Sequence, residues 1–116
     1  VMQYGDRRHV FISGTASIDN KGEVVHVGDI VKQTERMWEN VETLLAEGGT
    51  TYDDVCQIIV YLRDISDYPL VKTMFNKKFP DIPTVITLAP VCRPSWLIEM
   101  ECMAIKEQKN EEFRDF

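Results

Sequence analysis

The chain has 116 residues, a length that one domain accounts for, because chains divide into several domains only well above this size. Thirteen basic against nineteen acidic residues give a net charge of −6. The basic stripe that neutralises nucleic-acid phosphates is therefore missing, which argues against a nucleic-acid partner. No apolar run reaches the roughly 20 residues of a membrane span, and the first six residues lack the charged and apolar blocks of a signal peptide.

The cysteines and histidines indicate the compartment and exclude the simplest metal sites. Cys56, Cys92 and Cys102 are odd in number and widely spaced, which fits a reducing compartment better than a disulfide framework. His9 and His26 stand in no CxxC or HExxH pattern, so we expect no zinc site and no cofactor. These features predict a cytoplasmic protein without a metal.

The first quarter of the chain predicts two strands. Residues 7–13 alternate apolar with other side chains, as a strand with one buried face does. Small residues follow at 13–17, a composition that lets the backbone bend or approach another group closely. The turn sequence at 20–22 then predicts a second short strand at 23–27, so that the pair forms a hairpin with a wide loop.

A long amphipathic helix is predicted next. Asp29 can begin it, because its carboxylate can accept a hydrogen bond from an N–H group of the next turn. Gly48 and Gly49 end it, since glycine takes a left-handed conformation without a clash. The inner face recurs at three- and four-residue steps and consists of Ile30, Thr34, Met37, Trp38, Val41, Leu44 and Leu45. The residues predicted to face solvent are Glu35, Arg36, Glu39 and Glu42.

The middle of the chain predicts a central strand and a second helix. Residues 55–62 are β-branched and apolar with a single amide, a pattern typical of a strand that is packed on both faces. Asp67 predicts the start of a helix in which Pro69 is tolerated in the first turn. Pro80 predicts its end.

The last third predicts two more strands, at 83–88 and 96–105, joined by a loop that prolines stiffen. In the final strand, Leu97, Glu99, Glu101 and Met103 share one face, while the even-numbered residues share the other. The charged tail at 107–116 is expected to fray or to form an exposed helix outside the domain at 1–106.

The predicted order ββαβαββ describes an α+β fold in which two helices cover one face of a mixed sheet. The other face would carry Phe11, Leu97 and Met103, and the central strand is apolar on both sides. A monomer avoids exposing an apolar patch of that size. We therefore expect a homo-oligomer in which copies of the chain pack through this uncovered sheet face.

Four blocks of the sequence together resemble one known family. Residues 11–19 (FISGTASID) are similar to the "SGQ" strand end of the Rid family (RidA, YjgF, L-PSP), and residues 29–41 to its D-x-x-x-Q-T…N helix signature. Residues 54–64 resemble its DDV…V-x-L-x-D strand, and residues 98–104 its terminal EIEAIA. The blocks follow the family's order along nearly the whole chain.

The resemblance implies a chorismate-mutase-like (YjgF-like) fold, a homotrimer and ligand clefts between subunits. It also implies an activity, the hydrolysis of reactive imines and enamines made by pyridoxal-phosphate enzymes. That activity depends on an arginine just after a proline at the fourth strand, which binds the substrate carboxylate bidentately. Counted from Pro83, this position is Val85, and the departure argues against standard imine deamination.

The resemblance and the residue types nominate a small set of site residues. Glu99 keeps the glutamate of the final strand and is the candidate for polarising a water. Arg93 lies in a stiff Cys-Arg-Pro turn and is the candidate for replacing the lost guanidinium, so that it would hold a small carboxylate metabolite. Cys92 lies beside this cation, which favours a thiolate. The strand-end residues expected to form the wall of the site are Ser13, Gly14 and Thr15.

Each of these residues also has a purely structural interpretation. Arg93 could form a surface ion pair worth under about 1 kcal/mol, and Glu99 or Glu101 could pair with Arg93 or Lys106. Cys92 could be one more small buried hydrophobe. The small residues at 13–15 could serve only the turn. The sequence therefore leaves open whether the chain is catalytic.

Three functions stay open. The first is a trimer that binds a small carboxylate metabolite and, if it is an enzyme, hydrolyses or deaminates it. The second follows from the Cys-Arg-Pro…Glu segment, which is similar to the C-terminal Rid-like domain of chorismatases and implies an enolpyruvyl hydrolase. The third is a non-catalytic binding module. An endoribonuclease or translation-inhibitor role, a label that some relatives carry, ranks last because the chain is acidic.

Overall fold

The computed structural model, which describes residues 1–116, contains five strands and two α-helices. Short 3-10 turns precede β3 and α2. The elements are β1 (Met2–Gln3), β2 (Arg7–Thr15), α1 (Ile30–Glu47), β3 (Val55–Leu62), α2 (Tyr68–Lys78), β4 (Thr84–Leu88) and β5 (Ile98–Glu107). The chain therefore has the α+β fold and the ββαβαββ order that its sequence predicts.

All five strands form one mixed sheet in the order β1-β2-β5-β3-β4. The pair β3–β4 is parallel and the other neighbours are antiparallel. A parallel pair needs a crossover connection, and α2 supplies it. The last strand, β5, lies in the middle of the sheet, so residues of β5 have neighbours on both sides.

Local signals fix the helix ends. The Asp29 carboxylate accepts a hydrogen bond of 3.0 Å from the Lys32 N–H, and Gly49 has the predicted left-handed φ of 79°. Asp67 occupies the cap position of α2 but makes no capping hydrogen bond, and burial raises the pKa of its carboxyl. Asp64, three residues earlier, accepts from Ser66, and these hydrogen bonds lower the pKa of Asp64.

The hydrophobic core lies between the helices and one sheet face. The even-numbered residues of β5 from Ile98 to Ala104 are buried, as the alternation predicts. They pack with Met37, Val41 and Leu45 of α1 and with Phe75 of α2. Neither helix combines the length and the hydropathy that crossing a membrane requires.

The opposite sheet face is open, as predicted, and its apolar residues are not covered by this chain. Phe11 of β2 is 54% exposed and Val85 of β4 is 60% exposed. Ile59 is the register partner of Val85 in β3, and both Ile59 and Met103 are half-buried. An apolar strip therefore crosses the sheet from β2 to β4, interrupted by Gln57 and Glu101, which are the register partners of Met103 and Ile59.

The predicted second strand at 23–27 is wrong. This stretch forms only one isolated bridge, between Ile18 and Val24, because His26 and Gly28 have φ angles of 61° and 78° that an extended strand cannot contain. The second strand of the ββ pair is instead the short β1, which pairs with β2.

The prediction of a fraying or helical tail is also wrong. The N–H groups of Gln108 and Asn110 donate to the Asp6 and Gly5 carbonyls. Gly5 in turn donates to the Arg114 carbonyl. The C-terminal segment therefore returns along the N-terminal one.

Candidate functional site

The site is built on an irregularity at the end of β2. Ile12 pairs with Cys102 and Thr15 pairs with Met100, so the register shifts between Ile12 and Thr15. A bulge of this kind turns the strand end away from regular pairing. The Thr15 hydroxyl donates to the Ser13 carbonyl at 2.8 Å and fixes the new direction.

Gly14 lies in this bulge against the side chain of Glu99. A Cβ atom at position 14 would collide with the Glu99 carboxylate, so only glycine lets the carboxylate lie where it does. Cys92 Sγ is 4.0 Å from Glu99 Oε1. The structure thus brings together three of the predicted site residues, from β2, β5 and the loop before β5.

Glu99 has no cationic partner. No Lys, Arg or His nitrogen lies within 4.0 Å of its carboxylate. The predicted alternative, an ion pair between Glu99 and Arg93, is therefore wrong for this structure. A half-buried carboxylate without an ion pair keeps its lone pairs available to a water molecule or a ligand.

The loop that carries Cys92 and Arg93 is held by Arg63. The Arg63 guanidinium donates to the carbonyls of Arg93 at 2.6 Å, Trp96 at 2.9 Å and Val91 at 3.3 Å. The loop is thus stiff for a second reason besides its prolines. Sequence reasoning missed this role, although Arg63 directly follows the central strand.

Arg93 is exposed and its guanidinium has two contacts. Nη1 donates to the Gly22 carbonyl at 2.5 Å, and the guanidinium carbon lies 5.2 Å from the centre of the Trp96 ring. The Nε and Nη2 groups form the free edge of the fork, because neither donates within the protein. This edge has the geometry that binds a carboxylate bidentately.

A groove of about 510 Å³ runs between the end of β2 and α1. All three predicted wall residues, Ser13, Gly14 and Thr15, line it, and so do Trp96, Arg36 and Asn40. The wall residues therefore connect the groove with Glu99 through Gly14.

Trp96 lines the groove and contains an unpaired hydrogen-bond donor. The side chain is only 8% exposed, and its indole N–H is buried without an acceptor in the protein. Buried donors are normally paired. The Trp96 indole N–H is therefore an unpaired donor inside the protein.

The far wall of the groove was not predicted. Asn40 donates to the carbonyls of Ala16 and Ile18 at 2.9 and 3.0 Å, and Arg36 Nε donates to Ile18 at 3.2 Å. These bonds hold the segment after β2 against α1. Arg36 is therefore half-buried, and its predicted position on the solvent side of the helix is wrong.

A second polar pair lies on the open sheet face. The Tyr61 hydroxyl donates to Glu101 Oε1 at 2.6 Å, and this bond, with help from burial and from the charges of Glu101 and Glu99, raises the pKa of Tyr61. Beside it is a cavity of about 310 Å³ whose walls include Phe11 and Met103. No three His, Cys, Asp or Glu side chains anywhere in the chain come together as metal ligands would.

Comparison with known proteins identifies a family and several sequence relatives. The profile of the family described as Endoribonuclease L-PSP matches residues 3–106. A RutC family protein of Pyrococcus abyssi is 36% identical over 101 residues, which are 84% of this chain and 79% of that protein. The 3-aminoacrylate deaminase RutC of Acinetobacter baylyi is 35% identical over 72 residues, which are 62% of this chain and 57% of that enzyme.

Another relative is much longer than this chain. The 3-hydroxybenzoate synthase of Streptomyces hygroscopicus is 34% identical over 102 residues, which are 79% of this chain but 30% of that enzyme. Among solved structures, a candidate endoribonuclease of Thermotoga maritima has a TM-score of 0.75 at 29% identity and covers 86% of this chain and 80% of its own. RidA of an Antarctic Psychrobacter has a TM-score of 0.75 at 21% identity, covers 90% of this chain and 83% of its own, and supports the fold alone.

Proposed function

Because the chain belongs to the endoribonuclease L-PSP family, which is the Rid family, we propose that it is a cytoplasmic homotrimer that binds a small carboxylate metabolite and hydrolyses it. The open sheet face supports the trimer, since Phe11 is 54% exposed and Val85 is 60% exposed. Packing between copies would remove this apolar strip from water.

The observation that best supports a hydrolytic activity is the position of the Glu99 carboxylate. Its carboxylate lies against Gly14, beside Cys92 and without a cation. A carboxylate in this state can take a proton from a water molecule as the water oxygen attacks an electrophilic carbon. Glu99 then returns the proton to the leaving group.

With a protonated imine, the water oxygen bonds to the C=N carbon, the π electrons of the C=N bond move to the nitrogen, and Glu99 accepts one water proton, which gives a neutral carbinolamine. Glu99 then returns this proton to the nitrogen. The C–N bond breaks as the C=O bond forms, and the hydroxyl proton leaves with the ammonia as ammonium. Glu99 ends in its starting state, and no redox partner is needed.

Arg93 is the proposed carboxylate-binding residue. Val85 occupies the position where the deaminating members of the family have arginine, and its side chain cannot bind an anion. Arg93 has a free Nε–Nη2 edge while Nη1 holds Gly22, so a carboxylate could bind without any loss of that contact. The 35% identity to a 3-aminoacrylate deaminase supports a substrate of this class.

The test is hydrolysis of 3-aminoacrylate, followed as ammonia release. We expect Glu99→Gln to lower kcat by about 10²-fold or more, the usual contribution of a general base. Arg93→Gln should mainly raise KM. Glu107→Gln, at the far end of β5, is the matched control and should change neither. A rate that survives Glu99→Gln would refute the role of Glu99, and a rate insensitive to Arg93→Gln would refute that of Arg93.

A second candidate is an enolpyruvyl hydrolase of the chorismatase kind. The 34% identity to a 3-hydroxybenzoate synthase supports it, although this chain spans 30% of that enzyme. Release of pyruvate from chorismate, abolished in Glu99→Gln, would favour this candidate over deamination. If neither substrate turns over but both bind, the chain is a binding module.

A further inference from the structure

Gln33, the glutamine of the D-x-x-x-Q-T helix signature, is polar but fully buried on α1. Its Nε2 donates to the Ser95 carbonyl at 3.0 Å and to the His26 carbonyl at 3.2 Å. Its Oε1 accepts from the Leu97 N–H at 3.0 Å. A buried amide whose donors and acceptor are all paired holds its partners in place. Gln33 therefore ties α1 to the pre-α1 segment (residues 22–26) and to the pre-β5 loop (residues 91–97).

The two pieces of chain that Gln33 ties together are the two that Arg93 connects. Arg93 belongs to the pre-β5 loop, and its Nη1 donates to the carbonyl of Gly22 in the pre-α1 segment at 2.5 Å. Gln33 holds the same loop at Ser95 and the same segment at His26. The contact between Arg93 and Gly22 thus has a buried support behind it, and this support limits how far its two ends can move apart.

Arg93 depends on this support more than Glu99 does. Glu99 lies within β5, where the pairing with Tyr61 of β3 holds its backbone without help from Gln33. Arg93 lies outside the sheet and is exposed. Arg63 binds the Arg93 carbonyl at 2.6 Å, which fixes the main chain of the loop but not its separation from the pre-α1 segment. Loss of the Gln33 amide should therefore disturb the Arg93 side chain first.

We infer that Gln33 is a positioning residue whose amide orients the Arg93 guanidinium, so that the Nε–Nη2 edge is held ready for the substrate carboxylate. The role of that carboxylate rests on the proposed function. The orientation of Arg93 by Gln33 does not, because it can be measured without a substrate. The inference gives the glutamine of the signature a task that follows from its three hydrogen bonds.

The experiment compares the intact chain with the variants Gln33→Met and Gln33→Asn. Methionine has a similar length but makes none of the three hydrogen bonds, and asparagine keeps the amide on a side chain that is one methylene shorter. Thr34→Val is the matched control, because Thr34 is equally buried in the same signature and its hydroxyl donates only to the Ile30 carbonyl within α1, at 2.8 Å. Thermal unfolding, followed by circular dichroism, checks that each variant is folded, and Gln33→Asn carries the test if Gln33→Met does not fold.

Two measurements report on Arg93. NMR relaxation of its Nε–H group gives the order parameter of the guanidinium without a substrate. We expect a rigid group in wild type, an order parameter below about 0.6 in the Gln33 variants, and no change in Thr34→Val. The second measurement is hydrolysis of 3-aminoacrylate. The Gln33 variants should raise KM by up to about tenfold, the effect of one lost charge-assisted hydrogen bond, and should change kcat by a smaller factor because the sheet still holds Glu99.

A mobile Arg93 Nε–H group in wild type overturns the inference, and so does an unchanged order parameter in the folded Gln33 variants. An equal fall in Thr34→Val, or failure of both Gln33 variants to fold, overturns it as well, since Gln33 would then serve the fold as a whole. Lower order without a rise in KM also overturns it, provided that Arg93→Gln does raise KM. If Arg93→Gln leaves KM unchanged, the Arg93 assignment of the proposed function is refuted instead, and the order parameters still decide whether Gln33 orients Arg93.

Discussion

Gly14→Ala is expected to displace the Glu99 carboxylate without unfolding the chain. A Cβ atom at position 14 would occupy the space of Glu99 Oε1 and press on Cδ at 3.0 Å. The backbone of β2 cannot retreat easily, because it pairs with β5 on both sides of the bulge. The Glu99 side chain is the flexible partner and has to turn away.

The expected change in the free energy of unfolding is small. Forcing a side chain about 30° off its rotamer costs about 0.5–1.5 kcal/mol. Alanine also reduces the conformational entropy of the unfolded chain, which stabilises the fold by about 0.4–1 kcal/mol where the native backbone suits alanine. Position 14 meets this condition, because Gly14 does not have a positive φ. The net destabilisation should thus stay near or below about 1 kcal/mol. Catalysis should fall nearly as far as in Glu99→Gln.

A double-mutant cycle with Glu99→Ala measures this contact. In the Glu99→Ala background the collision is absent, so Gly14→Ala should be neutral or slightly stabilising. The coupling free energy from urea unfolding should be about 0.5–1.5 kcal/mol, and the two substitutions should not add in their effect on turnover. If Gly14→Ala has the same effect on stability in both backgrounds, the Gly14–Glu99 contact is not what requires glycine, and the reasoning fails.

Three further outcomes are expected. Phe11→Glu should reduce the mass in light scattering from that of the proposed trimer to that of one chain, because each Phe buried between copies would contribute about 1.5–3 kcal/mol. Phe113→Glu in the tail should leave the mass unchanged, and a monomeric wild type would refute the proposed trimer. Burial raises the pKa of Cys102 to about 11, so at pH 8 this thiol should resist iodoacetamide until the chain unfolds. Labelling of Cys102 as fast as that of the exposed Cys56 and Cys92 would contradict its burial. The raised pKa of Tyr61 means that its hydrogen bond to Glu101 stabilises the fold at pH values below the pKa of a free tyrosine. This stabilisation is lost as pH rises through the pKa of Tyr61 in the folded chain. Absorbance titration should show Tyr61 ionising at lower pH in Glu101→Gln, and an unchanged titration would refute the contact.

Where the sequence predicted the fold correctly, the signal was local or periodic. The Asp29 cap and the left-handed Gly49 depend on neighbours within a few residues. The alternation of β5 depends only on which sheet face the helices cover. The failed strand at 23–27 differs, because nothing local indicates that a histidine at position 26 takes a left-handed φ.

The conformation of that segment is set by contacts from distant parts of the chain. Arg93 holds the Gly22 carbonyl from 71 residues away, and Arg36 holds Ile18 from 18 residues away. Such bonds leave no periodicity in the sequence. For the same reason, the sequence identifies Arg93 as a candidate anion-binding residue but does not predict which groups its guanidinium contacts.

Arg36 shows why the groove could not be predicted. Helical periodicity indicates which residues of α1 face the sheet beneath the helix, and by this criterion Arg36 faces solvent. The segment after β2 nevertheless crosses the flank of α1, where Asn40 binds two of its carbonyls. Burial at Arg36 is therefore created by an irregular segment rather than by the sheet. A polar residue that the periodicity assigns to the surface can thus become part of the wall of a groove.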